Sequence, residues 1–284
     1  MNARPAMPFE PDLDFQPSRV LRVYGMRRSG NHAILDGFLR NAPGGNAVFF
    51  NNCKKARDPI RTHRSLELRR DGQVIRAKGP LNAALSQVGQ GPLAIVSVED
   101  AMPRPAERPL WGGEEQTVLI YRGFLNWSAS LLKKIKGNAS YGTVERTRIM
   151  TTACRTYGRA LKLASDPGAM VPVLYDRWIA SEPYRAQTLE ALGLETRDLG
   201  LGDVQRYGGG SSFQPDTRDA ASLGTDRRAD QLADDPEFGI LLWLVAHDLE
   251  LAESIAEHFP QDAERILRLA ETAGLSIHLP GRTS

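Results

Sequence analysis

Hydrophobic and polar positions along the chain change period several times, and each change marks an element. Arg19-Val20-Leu21-Arg22-Val23-Tyr24 is an alternating apolar run, the period of a strand. Gly25 ends it. From Gly30 the spacing lengthens, so that Ile34, Leu35, Phe38 and Leu39 share one side of a helix, which Asn41-Ala42-Pro43-Gly44-Gly45 stops. Further apolar runs at Ala47–Phe50, Leu93–Val98, Thr117–Tyr121 and Val171–Tyr175 predict strands. Helical spacing predicts helices from about Leu125, over Val144–Ala164, over Glu182–Leu192 and near Asp262–Ala273. Phe238, Leu241, Leu242, Val245, Leu249, Ala252 and Ile255 read as one amphipathic helix. Glu67–Arg70 and Gln73–Ala77 flank Asp71-Gly72, a pair suited to a tight hairpin turn. Strands alternating with helices predict an α/β fold, with a central parallel sheet flanked by helices. The expected organisation is an extended or disordered tail over 1–17 and a single domain over 18–284. A basic, less regular insert is expected at 51–80.

Composition narrows the function classes. The 284 residues carry 36 Lys+Arg and 34 Asp+Glu, and no run of 18 apolar residues suggests a membrane span. The Pro-rich, acidic start lacks the apolar core of a secretory signal, so a cytoplasmic location is the expectation. Cys53 and Cys154 make no disulfide framework, and the five histidines have no metal-ligand spacing, so no metal is expected. The near-neutral total hides an asymmetry. Residues 1–142 hold 21 basic and 12 acidic side chains, residues 143–284 hold 15 and 22, and 29 of the 36 cations are Arg.

Gly25-Met26-Arg27-Arg28-Ser29-Gly30-Asn31-His32 lies between a strand and a helix, where glycines five apart let the backbone wrap an anion at the helix N-terminus. It matches the first part of a G-x-x-x-x-G phosphate loop. Asn31-His32 stand where the Lys-Ser/Thr pair would contact nucleotide phosphate and Mg²⁺. The cations come earlier, at Arg27 and Arg28.

This strand–loop–helix unit resembles the 5′-phosphosulfate loop of sulfotransferases that use 3′-phosphoadenosine 5′-phosphosulfate. Two later segments extend the resemblance in order and spacing over about 18–215. Arg122 ends a predicted strand and Ser130 follows eight residues on, with Asn126 and Ala129 between them, similar to the family's 3′-phosphate pair. Tyr175 and the Ser212-Phe213 pair resemble the family's adenine contacts. The resemblance implies a sulfotransferase-like, P-loop nucleotide-binding-like fold, with Arg27, Arg28, Ser29, Gly30, Asn31, His32, Arg122, Ser130, Tyr175, Ser212 and Phe213 binding the donor. It also implies Arg28 at the leaving phosphate and a hydroxyl acceptor, a carbohydrate or glycolipid-like metabolite being favoured. For the catalytic base, Glu99 stands first and Asp100 second at the end of Leu93–Val98. His32 follows as a third candidate at the loop, and His63 could meet an acceptor. The sequence departs from the family at Gly123-Phe124, at Ala33-Ile34 where an adenine-stacking Trp is usual, and in lacking the late Arg-Lys-Gly signature. Arg206 or Arg227-Arg228 are the candidate replacements. The acidic C-terminal half is otherwise expected to supply adenine contacts and helices, with no need of positive charge.

Two other readings remain open: a P-loop kinase or NTPase with a degenerate loop, and a non-catalytic anion- or nucleic-acid-binding module. Few aromatics stand between the basic residues of 54–76, which argues against nucleic acid. The acceptor would be bound by the loops at 51–80, 101–116 and 137–143, and the sequence specifies neither its identity nor the oligomeric state.

Overall fold

In the computed structural model the described residues are 15–76, 79–104, 107–111, 114–205 and 213–271. In chain order the elements are β1 (Arg19–Gly25), α1 (Asn31–Arg40), β2 (Ala47–Asn51), α2 (Pro59–Thr62), β3 (Ser65–Arg70), β4 (Gln73–Ile75), α3 (Leu81–Ser86), β5 (Leu93–Glu99), β6 (Glu114–Tyr121), α4 (Phe124–Lys136), α5 (Thr143–Ser165), β7 (Val171–Leu174), α6 (Tyr175–Ala180), α7 (Glu182–Ala191), α8 (Pro236–His247), α9 (Leu249–His258) and α10 (Pro260–Glu271). The seven strands form one sheet in the order β4-β3-β2-β5-β1-β6-β7. β2, β5, β1, β6 and β7 are parallel, and β3 and β4 add antiparallel at one edge. The fold is a single α/β domain with helices on both faces of a mostly parallel sheet.

The alternation in β1 explains the two layers. Leu21 and Val23 face a core completed by Ile34, Leu35 and Phe38 of α1 and Trp178 of α6. Val20 and Tyr24 face the larger core, which holds Trp127 of α4, Tyr157 of α5 and Phe238 of α8. Arg22 points into that second core and is buried; Glu107 Oε2 accepts its Nη1 at 2.5 Å, and Glu115 pairs with its Nη2. Burial alone would raise the Glu107 carboxyl, but hydrogen bonds from Tyr24 and Arg22 outweigh it and hold that group below its usual range.

Near the start of the described residues Phe15 is buried edge-on against Trp111 and Phe50, with ring centroids 5.2 and 5.9 Å away, and Pro17 is buried too. Two expectations are corrected. The 51–80 segment is more regular than expected, since β3 and β4 extend the main sheet; Asp71 and Gly72, with φ of 50° and 78°, make the hairpin turn. The long amphipathic helix is two helices. Asp248 leaves helical geometry with ψ of 90°, and its carboxylate caps α9 by accepting from Leu251 N at 3.2 Å.

Candidate active site at the carboxyl ends of the strands

Five parallel strands end at one edge of the sheet, and each delivers chemistry there. β2 ends in Asn51-Asn52, β5 in Glu99-Asp100, β1 in the 26–30 loop, β6 in Arg122 and β7 in Tyr175. Open α/β sheets bind ligands at this edge. A cavity of about 510 Å³ lies there, within the range of small-molecule sites. Arg27, Arg28, Arg64, Arg122, Lys134 and Arg228 line it, against the carboxylates Glu99 and Asp203.

The loop's conformation follows from its glycines. Gly30 adopts φ of 84°, and a Cβ there would fall on the Tyr175 ring. A Cβ at Gly25 would meet the Asn31 side chain. Arg28 also adopts a left-handed φ of 70°, and its carbonyl accepts from Arg122 Nη1 at 3.3 Å. The Arg27 carbonyl accepts from Trp127 Nε1 at 3.0 Å, so α4 and the residue after β6 hold the loop from below. The first turn of α1 leaves N–H groups that no intrahelical carbonyl accepts. Gly30→Ala is expected to cost about 2–5 kcal/mol, from left-handed strain plus overpacking. Thermal unfolding checks this, and adding Tyr175→Ala should recover the steric part only.

Electrostatics separates the base candidates. Burial raises the Glu99 carboxyl above its ordinary value of 4.5, opposed by the hydrogen bond from Asn31. Asn31 Nδ2 lies 3.4 Å from Glu99 Oε1, and Asn52 Nδ2 lies 3.3 Å from Oε2. Asp100 is taken up by Arg27, which donates its backbone N–H at 2.9 Å and pairs through Nε. Burial and then Arg28 push His32 down to about 4, so its imidazole is neutral and weakly basic. His63 packs on Phe50 and donates Nδ1–H to the Pro59 carbonyl at 2.9 Å.

On the other side of β1, Arg122, Ser130 and Arg228 converge. Ser130 Oγ accepts from Arg228 Nη1 at 2.7 Å and from Arg122 Nη1 at 3.5 Å. Asn126 Oδ1 accepts from the N–H groups of Arg228 and Ala229 at 3.0 and 3.3 Å, which fixes the segment carrying Arg228. Arg122 Nη2 donates to the Thr225 carbonyl. The Nε atoms of Arg122 and Arg228 are buried without a hydrogen-bond acceptor, and the nearest carboxylate oxygen, on Asp176, is 3.9 Å from Arg122 Nε. Burial lowers both guanidinium pKa values; Arg122 lowers Arg228 further. Charged arginines in such company call for an anion.

Glu99, Arg27, Arg28, Gly30, Asn31, His32, Arg122 and Tyr175 all line the cavity. Four expected contacts are placed differently. Ser29 lies in the loop but is fully buried behind the wall. Ser130 is fully buried and reaches the cavity through the guanidiniums it orients. Tyr175 starts α6 instead of ending a strand, and its ring is 4% exposed, packed under Gly30 with the Arg122 guanidinium 4.9 Å from its centroid. Phe213 sits 5.5 Å from the Arg228 guanidinium, off the cavity wall; Ser212 and Arg206 lie outside the described residues. Sequence reasoning missed Asn52 and Asp262. Asp262 of α10 accepts from Leu125 N at 3.0 Å, and Asp176 accepts from Gly123 N at 2.7 Å, so two carboxylates cap the helix that carries Ser130. A Cβ at Gly123 would lie 3.2 Å from Asp262 Oδ2, a tight contact.

No protein-family model matches the sequence, and no curated protein does. Among solved structures the chain is similar to the sulfotransferase domain from the Synechococcus PCC 7002 olefin synthase, with a TM-score of 0.37 and 12% identity, covering 78% of this chain and 97% of that one.

Proposed function

We propose that the protein is a sulfotransferase that uses 3′-phosphoadenosine 5′-phosphosulfate and a hydroxyl acceptor. One observation carries the reading: Arg122, Arg228 and the loop with Arg28 surround one cavity that also holds a single raised, amide-held carboxylate, Glu99. A donor with phosphates at both ends of a ribose needs two cationic sites a nucleoside apart. The loop and α1 N-terminus suit one; Arg122 and Arg228, with buried N–H groups lacking acceptors, suit the other. Bound there, the donor would supply the sulfuryl group and a stable bisphosphate leaving group.

The chain's own residues do the rest. Glu99 accepts the proton of the acceptor hydroxyl as that oxygen bonds to sulfur and the sulfur–oxygen bond to the leaving phosphate breaks. Arg28 stays charged and neutralises the departing oxygen; as an arginine it stabilises the anion without protonating it. Asn31 and Asn52 orient the carboxylate, and burial makes it more basic than a solvated one. A carboxylate base, where small-molecule members of the resembled family carry His, favours a carbohydrate hydroxyl as the acceptor. Against the kinase reading, the residue after Gly30 is Asn31, whose Nδ2 donates inward to the Met26 carbonyl at 3.1 Å.

Isothermal titration with adenosine 3′,5′-bisphosphate tests this. Binding is expected without Mg²⁺, and at least tenfold weaker for adenosine 5′-monophosphate, which lacks the group that Arg122 and Arg228 would meet. No binding at high micromolar concentration, or equal binding of the two nucleotides, overturns the reading.

A further inference from the structure

The cavity wall also carries a cation, Arg64, on the side of Glu99 away from Arg122 and Arg228. The sheet order fixes this. Arg122 follows β6, on one side of β1, while Glu99 ends β5, on the other. Beyond β5 come β2 and then β3, whose first residue, Ser65, pairs with Asn51. Arg64 therefore stands two strands beyond Glu99, away from Arg122. Its backbone is pinned, because Arg64 N donates to the Asn51 carbonyl at 2.8 Å and Asn51 Nδ2 donates to Ser65 Oγ at 3.0 Å. Asn52, the next residue, is the one that holds Glu99. The base and Arg64 are thus joined through two consecutive polar residues, Asn51 and Asn52, at the cavity wall.

Arg64 also belongs to a charged approach. From Asn52 to Arg64 inclusive the chain has five Lys or Arg residues and one acid, Asp58. Asp58 pairs with Arg61 at 3.5 Å, and Lys55 donates to the Met102 carbonyl. Arg27, across the cavity, is taken by Asp100. Arg64 is exposed, lines the cavity, and has no carboxylate within ion-pair distance among the described residues. A guanidinium on the acceptor side, two strands from the base, is placed to receive an oxyanion on the molecule whose hydroxyl Glu99 meets.

We propose that the acceptor is an anionic hydroxyl compound, a sugar bearing a carboxylate or phosphate, and that Arg64 at the β2–β3 end of the cavity binds that group. This rests on the sulfuryl-transfer reading for the role of Glu99. The probes are phenyl β-glucoside, its 6-carboxylate (phenyl β-glucuronide) and its 6-phosphate, titrated into the protein alone and into protein saturated with adenosine 3′,5′-bisphosphate. At least one anionic probe is expected to bind roughly tenfold more tightly than the neutral one, the better arm identifying the group. The preference should shrink as salt rises. Arg64→Ala should erase it and Arg64→Lys restore part of it. Arg57→Ala, on the same segment but off the cavity wall, should leave it intact. Equal binding of the three probes, absence of binding by all of them, or a preference that survives Arg64→Ala or is equally lost in Arg57→Ala, overturns the proposal. Binding of the bisphosphate is read separately, so its failure strikes the sulfuryl-transfer reading instead.

Discussion

Glu99→Gln is expected to lower turnover by about 10²–10⁴-fold, the usual contribution of a positioned general base, while adenosine 3′,5′-bisphosphate binds as before or slightly more tightly. The amide keeps the shape that Asn31 and Asn52 hold and removes only the proton-accepting function. It also removes a negative charge close to Arg28, which explains why affinity should not fall. The pH profile supplies an independent check. Burial raises the Glu99 pKa above 4.5 in the folded protein, and the base must be ionised. Activity should therefore fall as pH drops, with a midpoint above that of an ordinary carboxylate, and the limb should vanish in the residual activity of Glu99→Gln. Stability moves the other way. A folded-state pKa above the unfolded one means that the contribution of Glu99 is present below pH 4.5 and lost as pH rises through the folded value. Glu99→Gln should thus match or exceed the wild type in Tm at pH 8, while any advantage disappears near pH 4. If the variant retains full turnover, the base lies elsewhere. His32, at about 4 and neutral, and Asp100, paired with Arg27, would each have to leave their present environment to serve.

The parts of this site that sequence reveals are those where a local rule dictates the residue. Gly25 and Gly30 frame a strand-to-helix loop, and both prove sterically required, one by Asn31 and one by Tyr175. Arg122 closes a strand whose apolar run is unmistakable, so its place at the carboxyl edge follows from the α/β pattern alone. Glu99 follows by the same argument from β5. The sheet order is not legible in this way, because nothing in an apolar run says which neighbour it pairs with; β5 lies between β1 and β2 although it follows both. That order is what separates Arg64 from Arg122, and with it the two ends of the cavity.

Long-range partners hide for the same reason. Asp262 caps α4 from 137 residues away, and in sequence it is an ordinary acid in the first turn of a helix. Asn126 is noticed beside Arg122 and Ser130, but its use, fixing the backbone of residues 228 and 229, appears only in three dimensions. The charge arithmetic misleads in one respect. The net-acidic second half reads as one with little need of positive charge beyond a replacement at Arg206 or Arg227-Arg228, yet its Arg228 joins Arg122 in a buried cluster of charge. A half-chain total averages over residues that never meet, whereas a site is decided by the few that do.

Arg228→Met separates a ligand-binding arginine from a structural one. In the protein without ligand, Arg228 is buried, its Nε lacks an acceptor, and Arg122 and Arg28 both disfavour its charge. Replacing it by an apolar side chain of similar length relieves that repulsion and forfeits one hydrogen bond to Ser130, worth about 1 kcal/mol. The expected result is an unchanged or higher Tm, a gain of up to about 2 kcal/mol. Affinity for adenosine 3′,5′-bisphosphate should fall about a hundredfold, or roughly 2.7 kcal/mol, as one charge-assisted contact to phosphate is lost. Both effects can be read from one thermal titration. At a ligand concentration a hundred times the wild-type Kd, the wild type gains about 2.7 kcal/mol from binding, whereas a hundredfold weaker variant gains about 0.4 kcal/mol. A strut would behave in the opposite manner, with Tm falling and the ligand-induced gain preserved. That outcome would move the second phosphate away from Arg122, Ser130 and Arg228, and with it the reason for reading the cavity as a site for a doubly phosphorylated nucleotide.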